Sequence, residues 1–116
     1  MDVKWFAVNC TYQVICGEGK HSPQINEQTR LIQAKDIAHA LKKARTQAEA
    51  YNAPFENCEG DRVIWKFVGI GGINEIEAIV DGVEVWSKIL EPKSVDVYLE
   101  SIKHRDKILT EKNKTL

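Results

Sequence analysis

Residues 62–70, Arg-Val-Ile-Trp-Lys-Phe-Val-Gly-Ile, form the densest run of β-branched and aromatic side chains in the chain. A run of that kind reads as the central strand of a sheet. Taken as an unbroken strand of period two, it sets Val63, Trp65, Phe67 and Gly69 on one side and Ile64, Lys66, Val68 and Ile70 on the other. Both sides are largely apolar, so both need a cover, from the chain itself or from a partner.

The flanking segments supply candidates for that cover. Residues 4–16 alternate, with Phe6, Val8, Cys10, Tyr12, Val14 and Cys16 on a core face and Trp5, Ala7, Asn9, Thr11, Gln13 and Ile15 on a mixed, partly covered one. The glycines and proline of residues 17–23 then predict a loop, and residues 25–34 a second strand paired with the first as a hairpin. Asp36 is placed to cap a helix in which Ile37, Ala40, Leu41, Ala44, Ala48 and Tyr51 recur at intervals of three and four, a stripe turned toward the sheet. Asn52, Ala53 and Pro54 are the expected stop.

Beyond residue 70 the string Gly69-Ile70-Gly71-Gly72 predicts a bulge or bend, with residues 73–76 continuing the strand past it. Asp81-Gly82 predicts a tight turn, and residues 83–90, with Trp86 and Lys88 on one face, a fourth strand. Ser94 is placed to cap a last helix with a sparse stripe of Val95, Leu99, Ile102 and Leu109. The expected fold is therefore α+β: a four-stranded antiparallel sheet in the order strand-strand-helix-strand-strand, packed on one main helix, plus a C-terminal helix. That last helix is expected either to fold over the second sheet face or to project toward a partner. At 116 residues and 43% hydrophobic content the chain suits a single domain over residues 1–110, with residues 111–116 as a flexible tail.

Four strings in this order resemble a family of small bacterial proteins known as domain of unknown function 4288. They are Trp5-Phe6-Ala7-Val8, Ala34 before a capped helix with spaced alanines, Asn57-Cys58-Glu59-Gly60 before residues 63–70, and residues 81–87. The resemblance covers residues 4 to about 90 and leaves out the C-terminal helix. It implies a bacterial, cytoplasmic protein and brings no activity to any residue.

Familiar chemistries find little support. Cys10 and Cys16 are too far apart along one strand to share an ion, and Cys10, Cys16 and Cys58 together with His21 lack the tight spacings of a zinc site. They read as core filler or free thiols. Nothing brings His21, His39 or His104 to a cysteine as a catalytic pair, and no G-x-S-x-G or phosphate-loop string occurs. No catalytic residue, metal or cofactor is expected. A formal net charge of -1 gives no footprint for nucleic acid, and the basic helix face of Lys42, Lys43 and Arg45 reads as solvated. With no secretory signal and no apolar span, a cytoplasmic location away from membranes is expected.

Charge is unevenly spread: residues 56–84 hold seven acids against two bases, a net -5. Glu75, Glu77, Asp81 and Glu84 are expected to form a solvated acidic rim, and an enzymatic or divalent-ion role for them is the weakest of the readings. The sharper expectation rests on tryptophan. Trp65 belongs to the core, whereas Trp5 and Trp86, with Glu84 and Lys88, point to an aromatic sheet face that binds a protein partner or a second copy. A small-ligand-binding domain and an immunity-like inhibitor of a basic toxin are the alternatives carried forward.

Overall fold

The computed structural model describes residues 2–17, 24–51, 55–56 and 62–114. Contacts within the chain divide it into two compact units, Met1–Trp86 and Ser87–Leu116.

In the first unit, β1 (Lys4–Cys16) and β2 (Gln24–Ala34) form an antiparallel hairpin in unbroken register from Lys4↔Ala34 to Val14↔Gln24. Helix α1 (Ile37–Ala50) follows, and β4 (Arg62–Ile76) pairs antiparallel with the other side of β1. A two-residue ladder, β3 (Phe55–Glu56), adds to the far edge of β4 at Val63 and Arg62. The sheet order is β2-β1-β4-β3, so three long antiparallel strands carry the sheet. The central one is β1. The segment singled out by its apolar density, residues 62–70, is its neighbour, with only β3 on its far side.

The fourth expected strand is absent. The Asp81-Gly82 turn forms as predicted, with Gly82 at φ 84 and the Val83 N–H donating to the Val80 carbonyl at 3.1 Å. Residues 83–90 nevertheless join no ladder. The β1–β4 ladder ends at Trp5↔Ile76, and the chain beyond it leaves the sheet. What reads as a period-two strand instead sends Trp86 onto a glycine of β4, as described below, and leaves Ile89 95% exposed.

The glycine-rich string does contain the expected irregularity, in two places. Asn9↔Gly72 is followed by Cys10↔Ile70, and Thr11↔Gly69 by Tyr12↔Phe67, so Gly71 and Val68 are each extra residues in β4. An extra residue shifts the pleat. Ile70, expected beside Ile64 and Lys66, falls opposite Cys10 and packs on the core with Trp65 and Phe67. None of the described glycines in this string has positive φ.

Asp36 caps α1 as expected, its Oδ1 accepting from the His39 N–H at 2.8 Å. The Lys35 N–H in turn donates to His39 Nδ1 at 3.1 Å, a reciprocal arrangement that occupies both ends of the first turn. Ala40, Ala44 and Ala48 are fully buried, and their small side chains let the helix backbone lie close to the sheet. Ile37, counted in the stripe, is exposed because it stands at the helix entry. The helix gives way at Tyr51, whose N–H reaches the Gln47 and Ala48 carbonyls. Asn52, Ala53 and Pro54, expected to stop it, lie outside the described residues, as do His21 and Cys58.

The core between α1 and the sheet joins the three alanines to Phe6, Val8, Cys10 and Tyr12 of β1 and Ile32 and Ala34 of β2. Tyr12 anchors its far end. Its hydroxyl donates to the Ala48 carbonyl at 2.9 Å, and its ring meets Tyr51, Trp65 and Phe67 with centroids 5.6, 6.1 and 5.6 Å away. In the second unit, Ser94 caps α2 (Val95–Lys112) by accepting from the Val97 N–H at 3.3 Å. None of α2's residues is buried, and the stripe of Val95, Leu99, Ile102 and Leu109 is exposed.

Candidate interaction surface

The face of the sheet away from α1 is where the sequence placed its aromatic patch. On β1 it carries Trp5, Ala7, Asn9, Thr11, Gln13 and Ile15, and the register adds Ile76, Asn74, Gly72, Gly69, Lys66 and Ile64 from β4. From β2 come Ile25, Glu27, Thr29, Leu31 and Gln33. One end of this face is closed. Ala7, Asn9 and Ile76 are buried, and a Cβ added at Gly72 would meet Cη2 of the Trp86 indole at 2.6 Å. Trp86 therefore lies directly on a backbone that only glycine leaves low enough. Beside it, a Cβ at Gly71 would come within 2.9 Å of Asn9 Oδ1, which accepts from the Thr11 hydroxyl at 3.2 Å.

The other parts of the face are open. Ile25, Leu31, Ile64 and Val68 are 59, 52, 41 and 63% exposed. Leu31 stands opposite Ala7, beside the closed end, whereas Ile25 and Ile64 stand opposite Gln13 and Ile15 toward the other end. Trp5 and Trp86 are each half-buried, so the ring surface left to a partner is smaller than the sequence suggested, and the aliphatic surface is larger. The sequence set Ile64 and Val68 on a side that needs a cover but did not single out Ile25 and Leu31, because a period-two count gives the face of a side chain and not what covers it. The exposure of Leu31 and Ile25 follows from β2 being an edge strand, which is a property of the sheet order.

Glu84 is exposed beside Trp86 in sequence, and Lys88 is exposed in the second unit. Of the acidic rim, Glu75 pairs with Lys4 at 3.6 Å across half-exposed side chains, and Glu77 and Asp81 stand in solvent. Among the described residues no group of three or more His, Cys, Asp or Glu side chains could hold a metal ion.

The α1 face of the sheet holds one polar group that the sequence did not advertise. Arg30 donates to Gln28 Oε1 at 2.7 Å and sits 5.1 Å from the centroid of the Tyr51 ring, and no carboxylate pairs with it among the described residues. Burial pushes the pKa of the Cys10 thiol and of the Tyr12 hydroxyl above their ordinary values of 9.0 and 10.0, and the Arg30 guanidinium acts against it without overcoming it. A buried thiol held neutral is a poor nucleophile. A shallow groove of 380 Å³ along the outside of α1 is lined by His39, Lys42, Lys43, Thr46 and Gln47. His39 serves the helix cap and Lys43 Nζ donates to the Gln33 carbonyl at 2.8 Å, so two of its cationic or basic groups already have structural tasks.

Residues 5–87 match the family model described as Domain of unknown function (DUF4288). The chain belongs to this family. The matched segment spans β1 through the Trp86 that closes the second face, so the DUF4288 match takes in the sheet, α1 and the turn at Asp81-Gly82, and stops before α2. No curated protein and no solved structure matches the DUF4288 chain. No helix among its described residues is long and apolar enough to cross a membrane.

Proposed function

We propose that this chain is a non-catalytic protein-interaction module that makes its contact through the second sheet face. The observation that carries the reading is the division of that face: one end closed by Trp86 on Gly72, with Leu31 exposed beside it and Ile25, Ile64 and Val68 exposed beyond it. Trp86 seated on Gly72 covers the polar end of the face, and the exposed aliphatic side chains beyond it are suited to burial against another protein. The exposed acids Glu77, Asp81 and Glu84 would steer encounter more than they would add affinity.

The test uses the full chain immobilised as bait in a lysate of the native cell, beside a variant carrying Ile64→Lys and Val68→Lys. A protein retained by the first and lost by the second, with unchanged melting temperatures, supports the reading. Retention indifferent to the two lysines, or nothing retained at all, overturns it.

A further inference from the structure

We infer that β2 pairs antiparallel, along its free edge, with β2 of a second copy of this chain about a two-fold axis at Gln28. The inference goes beyond the second-face reading: it concerns a separate contact, at the edge of the sheet.

Two bonds decide which backbone groups of β2 point outward. The Gly17 N–H donates to the Arg62 carbonyl at 2.8 Å, so odd-numbered residues at that end of β1 turn their N–H and C=O groups toward β4. Both irregularities in the β1–β4 ladder insert residues into β4, so the parity holds along β1, and its even-numbered residues serve β2. The unbroken β1–β2 register pairs even with even, as in Tyr12↔Asn26 and Cys10↔Gln28. The odd residues of β2 therefore face outward. Lys43 agrees, since its Nζ caps the carbonyl of Gln33, an odd residue, at 2.8 Å.

That cap also delimits the edge. With Gln33 engaged, the outward residues whose backbone groups have no bond among the described residues are Ile25, Glu27, Thr29 and Leu31. Their midpoint is Gln28. A two-fold axis there makes each of them donate and accept one backbone bond, and sets Ile25 opposite Leu31 of the partner subunit and Glu27 opposite Thr29 of the partner subunit. Ile25 and Leu31 are the two exposed aliphatic side chains of β2, so the same operator that satisfies the backbone buries both against each other. Neighbouring registers are worse. An axis at Thr29 places Leu31 against the partner's Glu27, and an axis at Glu27 places two like charges directly opposite. A long exposed edge strand without proline is what such pairing requires.

The test is the mass of the full chain in solution, by sedimentation across a concentration series reaching millimolar. Wild type is expected to shift from monomer to dimer. Thr29→Pro removes an outward N–H and spares the β1 ladder, so it should give a folded monomer, whereas Gln28→Pro should disrupt the fold itself. Leu31→Lys should weaken the dimer about tenfold, and adding Ile25→Glu should restore it, because the two positions meet across the axis. If Thr29→Pro fails to fold, the lysine variant and its rescue decide. A wild type that stays monomeric, a dimer indifferent to Leu31→Lys, or absence of rescue overturns the inference. Ile64→Lys with Val68→Lys should leave this dimer intact, so failure here is separable from failure of the lysate capture.

Discussion

β1 and β4 bond to each other from Trp5↔Ile76 to Cys16↔Val63, yet they meet water in opposite ways. Residues 62–70 of β4 read as the more apolar strand, but among its described residues only Val63 and Ile76 are buried. β1 contains Asn9, Thr11 and Gln13, and its Phe6, Ala7, Val8, Asn9 and Cys10 are all buried. Burial here follows position. β1 has a long strand on each side, α1 over one face and Trp86 over part of the other, and β4 has a long partner on one side alone. A strand's neighbours, more than its composition, decide how much of its apolar surface is removed from water.

Substitutions in the two strands break the comparison if position is not what matters. Phe6→Ala in β1 empties a fully buried site under α1 and is expected to cost about 3–5 kcal/mol in urea unfolding. Ile64→Ala in β4 should cost about 1 kcal/mol or less, and equal losses would contradict the account. Next in size is Gly72→Val, expected to destabilise by about 1–3 kcal/mol because its Cβ would fall 2.6 Å from Cη2 of Trp86 and push the indole off the strand. Combining it with Trp86→Ala should recover part of the loss in a double-mutant cycle, and strict additivity would show that the two do not touch.

Tyr12→Phe sharpens the comparison from the α1 side. It leaves the Ala48 carbonyl without the hydroxyl that bonds it at 2.9 Å and should cost about 1 kcal/mol by the same measurement. Alkaline titration probes the same region. The folded state holds the Cys10 thiol and the Tyr12 hydroxyl protonated above their ordinary values, so the folded chain binds more protons than the unfolded one once the pH passes 9.0. Stability is then fully present below that pH and falls as pH rises. Cys10→Ala should remove the first part of the fall, and an unchanged profile would refute the assignment. The smallest effect is expected at Val68→Lys, within about 0.5 kcal/mol, since Val68 is an extra residue of β4 that stands 63% exposed.

Local signals in the sequence proved readable where they act within a few residues. The Asp36 and Ser94 caps, the spaced alanines of α1, the turn at Gly82 and the irregularity among the glycines all follow from nearby geometry. The site was legible only in outline. That Trp86 comes to the second face, and lies on Gly72, needed the three-dimensional path of residues 77–86, which no periodicity encodes.

The sequence alone determined that this is an α+β chain with an antiparallel sheet, because hydrophobic period, capping and turn chemistry are local properties that each segment carries with it. Tertiary structure decided that β1 and not β4 is central, that Ile70 turns to the core, that residues 83–90 stay out of the sheet, and that β2 keeps a free edge. Those outcomes depend on strand order and on a pleat shifted by single extra residues. Both are settled by contacts between segments far apart in the chain.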